Sequence, residues 1–293
     1  MLETILASLR ELSLVGPKAK VSWSVTFTVG DVLHLSAYAD DGQYYHVRIS
    51  EKVDLEAEFS EYVRAFQAYS AFAPEPLAYR RSRDLQWIVF PGVDAKPVVE
   101  ADVLSMRSSS PLGRGLLSFF RRSRENQQGR WSRAEAGEFL SALDRRFATG
   151  ALARASSHVL SAVELNALAE LPRSPQHGDF SFNNLALAKS GLVVFDWEDF
   201  GRVWLSGFDL AVLIASAVRF EPAEIATLFA TNSRLGKSFL AWVGDSCEVL
   251  GIDVDVFKDT LPLYLLQFLS LKDLYSPPIR RRVELAILAL VGA

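Results

Sequence analysis

Gln176-His177-Gly178-Asp179-Phe180-Ser181-Phe182-Asn183-Asn184, running on through two apolar runs to Asp196-Trp197-Glu198-Asp199, is the stretch on which the fold turns. The runs are Leu185–Ala188 and Leu192–Phe195, and Lys189-Ser190-Gly191 separates them. A short polar break containing Gly between two β-prone runs predicts a hairpin. Asn184 and Asp196 are equidistant from Ser190, so an antiparallel ladder brings them to its open end. Asp179 lies close enough before Asn184 to curl back over the same spot. Two carboxylates and a carboxamide thus converge, and such hard oxygen donors suit Mg²⁺.

Protein kinases carry a loop of the form H-R-D-x-x-x-x-N, with a base and a metal-holding Asn, followed by a D-F-G whose Asp holds Mg²⁺. His177-Gly178-Asp179 and Asn184 have that spacing, and Asp196-Trp197-Glu198 stands in the D-F-G place. The His-Gly-Asp and Asp-Trp-Glu forms resemble the aminoglycoside phosphotransferase and choline kinase-like family of small-molecule kinases. The resemblance covers about residues 176 to 212. It implies an α+β, protein kinase-like two-lobe fold, with an N-terminal antiparallel sheet plus helix and a mainly helical C-terminal lobe. It also implies that Asp179 is the catalytic base and that His177 braces the loop. Asn184 and Asp196 would hold Mg²⁺ on the phosphates of an ATP or GTP donor. Ser181 stands where many relatives carry His or Lys, which changes the electrostatics beside Asp179.

The N-terminal sequence yields the sheet from pattern alone. Helical spacing of Leu2, Ile5, Leu6, Leu9 and Leu12 predicts a helix over 2–13. The period then becomes two. Val21, Trp23, Val25, Phe27 and Val29 alternate with polar residues in a half-buried strand, Gly30-Asp31 turns the chain, and Val32–Tyr38 and Tyr44–Ser50 complete a meander. On the third strand Tyr45, Val47 and Ile49 share one face, and Tyr44, His46 and Arg48 the other. His46 reads as an ordinary strand-face histidine. Where kinases place a phosphate-holding Lys, this chain carries Arg48. A guanidinium can grip phosphate bidentately; equally, a strand Arg can lay its stem on the sheet with its head in water. A helix follows with Leu55, Phe59, Tyr62, Val63, Phe66 and Tyr69 on its apolar face. The resemblance asks for a Glu here to pair with Arg48. Glu61 has the more family-like distance from Pro74 and Pro76, but Glu58 borders the apolar face and is favoured. No Gly-rich phosphate loop is visible.

Leu85–Phe90 is a further strand ended by Pro91-Gly92, where a domain boundary falls. The resemblance makes this a hinge whose backbone near Phe90 to Val93 meets the base of the nucleotide. The expected lobes are then 1–91, binding nucleotide, and 92–293, helical, carrying the catalytic loop, the metal site and the acceptor pocket. Residues 107–133 break pattern, with three glycines and seven arginines against Glu125 alone, and read as a mobile segment: an acceptor-side lid, an anion-attracting patch or, most simply, a solvated insertion. Ser132 and Glu135 form a capping-box signature for a helix through Phe147, and a second helix runs from about 157 to 171. Asp209 in Gly207-Phe208-Asp209 either steadies the catalytic loop, as the resemblance implies, or serves a helix N-terminus. Segments near 208–220, 222–232, 236–251, 255–275 and 280–291 read as helices.

At 293 residues with a net charge of −4, nothing draws the whole chain to nucleic acid or to membrane surfaces. One cysteine, Cys247, excludes an internal disulfide framework and fits a reducing compartment. The N-terminus lacks a signal-peptide core and no apolar run is long enough to span a bilayer, so the expectation is a cytoplasmic protein, monomer or homodimer. Its expected partners are a nucleoside triphosphate and a small-molecule hydroxyl acceptor. Glu198, Asp199, Glu221, Glu224 and Asp273 are candidate acids for the acceptor pocket. They are sparse and interspersed with Arg202, Arg219 and Lys272, which weighs against a strongly cationic acceptor. Glu198 is either a second metal ligand or a brace for Arg202. The competing reading is a nucleotide-binding pseudokinase or scaffold. A nucleic-acid module built on the Arg-rich segment would want more interleaved aromatics than Phe119, Phe120 and Trp131.

Overall fold

The computed structural model describes residues 1–29, 31–149, 153–162, 165–229, 236–271 and 277–291. The predicted turn glycine Gly30, the candidate acid Asp273 and Lys272 lie outside them. The chain divides into two compact units, Met1–Lys96 with Ala188–Glu198, and Pro97–Leu187 with Asp199–Ala293.

In the first unit α1 (Leu2–Glu11) precedes β1 (Val21–Val29), β2 (Val32–Ala39) and β3 (Tyr44–Ser50). After α2 (Leu55–Tyr69) come β4 (Ala78–Ser82) and β5 (Leu85–Pro91). These strands form one antiparallel sheet in the order β1-β2-β3-β5-β4. The period-two pattern decides its faces. Leu35, Ala37, Tyr45, Val47, Ile49, Trp87 and Val89 point to one side, where Ile5 and Leu9 of α1 complete a core. The opposite side presents His34, His46 and Arg48, with His34 facing Arg48 across the β2–β3 ladder.

α2 begins at Asp54, whose side chain accepts the Glu56 and Ala57 N–H groups. Its buried stripe is Leu55, Glu58, Tyr62, Ala65 and Tyr69. That is a 3-4-3-4 repeat rotated slightly from the apolar face predicted, with Glu58 inside it and Phe59 and Phe66 at its margin. β4 was not predicted, because Ala78–Ser82 is short and half polar; it is an edge strand that pairs only with β5.

A second, three-stranded sheet has the order β6 (Ala95–Pro97), β7 (Leu185–Ala188), β8 (Gly191–Val194). The turn between β7 and β8 holds Gly191 at φ +130°, a value that side-chain-bearing residues rarely adopt. The segment after it belongs to the first unit. Val194 N–H donates to the Phe72 carbonyl at 2.9 Å, and the fully buried Trp197 lies 5.3 Å from the Tyr69 ring.

The second unit is helical: α3 (Glu100–Leu104), α4 (Pro111–Glu125), α5 (Arg133–Phe147), α6 (Ala153–Ala162), α7 (Leu165–Glu170), α8 (Phe208–Ala217), α9 (Pro222–Ala226), α10 (Lys237–Leu250), α11 (Val254–Leu271) and α12 (Pro277–Val291). α8 is buried along its whole length and forms the centre of the unit. The Arg-rich segment is a correction to the sequence reading. Residues 111–125 are the regular helix α4, with Leu112, Leu116, Phe119 and Phe120 buried and the arginines on its outer side. Gly113 and Gly115 hid that periodicity. Gly113 is required by packing, since a Cβ there would stand 2.0 Å from the Arg107 carbonyl oxygen. Phe119 stacks on Phe180 with 4.5 Å between centroids, which ties α4 to the residue after Asp179.

Candidate active site

In the first unit the candidate residues gather on Arg48. Arg48 is 7% exposed, and its guanidinium meets three carboxylates. Nε stands 2.8 Å from Glu58 Oε1, Nη1 3.0 Å from Asp196 Oδ1, and Nη2 3.1 Å from Glu198 Oε2. The Glu58 contact is an ion pair whose N–H is not aligned as a hydrogen bond, whereas the other two are aligned. Nη1 also donates to the Tyr62 hydroxyl at 2.8 Å. Burial opposes the charge on Arg48, and Tyr62, Glu58, Asp196 and Glu198 outweigh it, so its pKa is pushed up. Of the two candidate glutamates, Glu58 reaches Arg48, and Glu61 pairs instead with Arg64 on the same helix.

Asp196 follows β8 with φ +62°, the left-handed region, which Asp tolerates better than most residues. Glu198 reaches Arg48, and Arg202 pairs with Asp199 at 3.0 Å. His34 Nδ1 and His46 Nε2 are 3.1 Å apart on the same sheet face. Burial, then the nearby Arg48 charge, lowers their pKa values to about 3 and about 4, so both imidazoles are neutral at physiological pH. The pairing with His34 is not predicted by the sequence, in which His46 reads as an ordinary strand-face histidine. Phe90 ends the buried part of β5 and packs against Tyr62 at 4.7 Å. Val93 is half-buried in the segment between β5 and β6.

In the second unit the loop 176–184 is held mainly by its backbone. Asp209, in the first turn of α8, accepts the His177 N–H at 2.8 Å and the Gly178 N–H at 3.2 Å. The Asp209 N–H donates in turn to Gln176 Oε1. Both expectations for Asp209 are therefore met by one residue, a loop brace at a helix N-terminus. Burial raises its pKa to about 7 against the two N–H donors, with the Asp179 charge adding to the rise. His177 is buried, and its Nδ1 accepts the Asp179 N–H at 3.2 Å. The Asp179 carbonyl accepts from Asn184 Nδ2 at 2.8 Å and from the Ser181 N–H at 2.8 Å. Both main-chain groups of Asp179 are thus engaged, which fixes its backbone and the direction of its Cα–Cβ bond. Gly178 has φ +94°, and a Cβ there would stand 2.7 Å from Asp199 Cβ.

The match to the phosphotransferase enzyme family runs from residue 37 to 243. The chain belongs to that family. Its model takes in the end of β2, every element from β3 through α9, and the first half of α10. Among solved structures, a choline kinase, LicA from Streptococcus pneumoniae, is 12% identical with a TM-score of 0.60, over 100% of this chain and 99% of that one. A thermostable mutant of aminoglycoside phosphotransferase APH(4)-Ia, in a ternary complex with ADP and hygromycin B, is 13% identical with a TM-score of 0.61, over 98% and 97%. The GDP and kanamycin complex of APH(2")-IIia gives 9% and 0.56, over 88% of each chain. At such identities the likeness is one of fold, and it is the α+β kinase-like fold. No curated protein sequence matches this chain. No helix among the described residues is long and apolar enough to cross a membrane.

Proposed function

We propose that this phosphotransferase moves the terminal phosphoryl group of a nucleoside triphosphate, ATP or GTP, to a hydroxyl of a small molecule. Asp179 orients that hydroxyl and accepts its proton, which places the oxygen for in-line attack. The observation that carries the reading is the fixing of Asp179 at both its N–H and its carbonyl, by His177 and by Asn184. A backbone held at both its N–H and its carbonyl sets the point from which the carboxylate reaches toward substrate, which supports a positioned base.

Asn184 and Asp196 supply a carboxamide and a carboxylate, hard oxygen donors that fit Mg²⁺ when phosphate oxygens complete the shell. Glu58, Asp196 and Glu198 place three carboxylates about the single Arg48 guanidinium, an excess of negative charge that favours a further cation. Mg²⁺ bound there would neutralise phosphate charge. Arg48, anchored through Glu58, is the phosphate-gripping side chain, and the Phe90–Val93 backbone borders the base. His177 and Asp209 brace the loop. Solved structures of similar fold hold ADP with hygromycin B and GDP with kanamycin, which supports a nucleotide donor and a small-molecule acceptor.

Asp179→Asn, nearly isosteric, tests this. Transfer falls by about 10²–10⁴-fold, while nucleotide binding measured by calorimetry is retained. The second reading, a nucleotide binder without transfer, draws support from Arg48, whose guanidinium is engaged by three carboxylates. Mg²⁺-dependent transfer by the wild type, lost in Asp179→Asn, excludes it; binding without turnover in either protein establishes it.

A further inference from the structure

The second unit has a cavity of about 320 Å³ lined by residues of α5, of α11 and of the segment 202–204. Three half-buried aromatic residues, Trp131, Phe139 and Trp204, form much of its wall. That volume suits a small organic molecule. The 203–204 wall is held by main-chain hydrogen bonds. Gln176 N–H donates to the Val203 carbonyl at 2.9 Å, and Ser174 N–H to the Trp204 carbonyl at 3.2 Å. A wall fixed in this way needs no ordering when a ligand enters, which favours binding.

The charged heads around this cavity already have counterparts. Arg202 pairs with Asp199 at 3.0 Å, and Arg146 is engaged as well. Arg173, whose guanidinium lies 5.0 Å from the Trp131 ring and 5.8 Å from that of Trp204, pairs with Glu135. No acid is among the described residues that line the cavity. A ligand charge brought here from water would go uncompensated, and burying an unpaired charge costs far more than burying a neutral polar group.

The group that lacks a counterpart is an amide. Gln267 is 7% exposed and interrupts an apolar run of α11, between Leu266 and Phe268. Its side chain makes no hydrogen bond with a described residue. Neither of its amide atoms is sealed from solvent, so the amide opens on the cavity that the residue lines. A carboxamide sets a carbonyl acceptor beside an N–H donor. Its complement is the same pair reversed, the adjacent N–H and C=O of a lactam.

We propose that this cavity binds an uncharged planar ring carrying a lactam N–H and C=O. The ring packs against Trp131, Phe139 and Trp204, and the lactam pair meets the Gln267 amide. Binding here does not depend on the phosphotransfer reading.

Calorimetry on the full chain, without nucleotide, tests this with quinolin-2-one. Its N-methyl derivative keeps the ring and the carbonyl but loses the N–H, and quinoline-2-carboxylate and 2-(aminomethyl)quinoline are the anionic and cationic analogues. Quinolin-2-one should bind about tenfold more tightly than each of the other three, the worth of one hydrogen bond. Gln267→Met, of similar length and shape, should bring its affinity down to that of the N-methyl derivative. Ala142→Trp, at an exposed position of α5 on the cavity wall, should block the space and abolish binding of both. No binding of quinolin-2-one, equal or tighter binding of a charged analogue, a preference that survives Gln267→Met, or binding that survives Ala142→Trp overturns the proposal.

Discussion

Replacing Arg48 with Met removes the charge at the centre of the first unit and leaves Glu58, Asp196 and Glu198 facing one another. Their contributions are unequal. Asp196 and Glu198 have side chains 33% and 36% exposed, so solvent screens the loss of an ion pair there to about 1 kcal/mol or less. Glu58 is 8% exposed and has no such relief. Breaking a buried pair from one side costs about 3–5 kcal/mol, but a stranded Glu can take up a proton instead. At pH 7 that costs about 3.7 kcal/mol for a carboxyl whose ordinary pKa is about 4.3, and this sets a ceiling on the Glu58 contribution. The sign follows. In the variant the folded-state pKa of Glu58 is raised, so the destabilisation is small near pH 4.3 and grows as pH rises towards that new value. The buried Tyr62 hydroxyl also loses its 2.8 Å partner. Urea unfolding of wild type and Arg48→Met at pH 5 and pH 7 measures the difference. We expect about 3–5 kcal/mol lost at pH 7 and about 1–2 kcal/mol at pH 5. A loss under about 1 kcal/mol at pH 7, or one equal at the two pH values, would refute the claim that Arg48 holds a buried Glu58 carboxylate.

Gly178→Ala puts a Cβ against Asp199 at a φ of +94°, so it should lower Tm by several degrees and reduce transfer more than nucleotide binding. An active, equally stable variant would show that the loop has another conformation available. Asp209 carries a folded-state pKa raised to about 7, so its stabilising contribution is complete at low pH and is lost as pH rises through about 7. Asp209→Asn should flatten the decline of Tm between pH 4.5 and 7.5; an unchanged slope would assign the titration elsewhere. Removal of divalent cation with EDTA should abolish transfer by the wild type and be reversed by Mg²⁺. Asn184→Ala should then need a higher Mg²⁺ concentration for half-maximal rate, and an unaltered requirement would remove Asn184 from the metal shell.

Local periodicity was sufficient for the meander. A strand has two faces and alternation names them, so β1, β2 and β3 as elements and the core-facing set of Tyr45, Val47 and Ile49 were legible from residue order alone. On β1, by contrast, a register shift between Val25 and Phe27 breaks the alternation and Val25 is exposed. The spacing of His177, Asp179, Asn184 and Asp196 was likewise sufficient to point to the family, because a loop chemistry is written in short stretches. Other features depended on partners distant in the chain. Whether Glu58 or Glu61 meets Arg48 differs by less than one helical turn, and only the docking of α2 on the sheet decides it. Arg48 also gathers carboxylates from Asp196 and Glu198, some 150 residues away, and no pattern in one segment encodes that meeting. α4 was misread because arginines and glycines dominate its composition while burial follows the Leu112-Leu116-Phe119 stripe. The sequence by itself determined the meander, the spacing of the 177–184 loop motif and the family. Tertiary structure alone decided which charges neutralise one another, since ion pairing depends on distance and burial rather than on position along the chain.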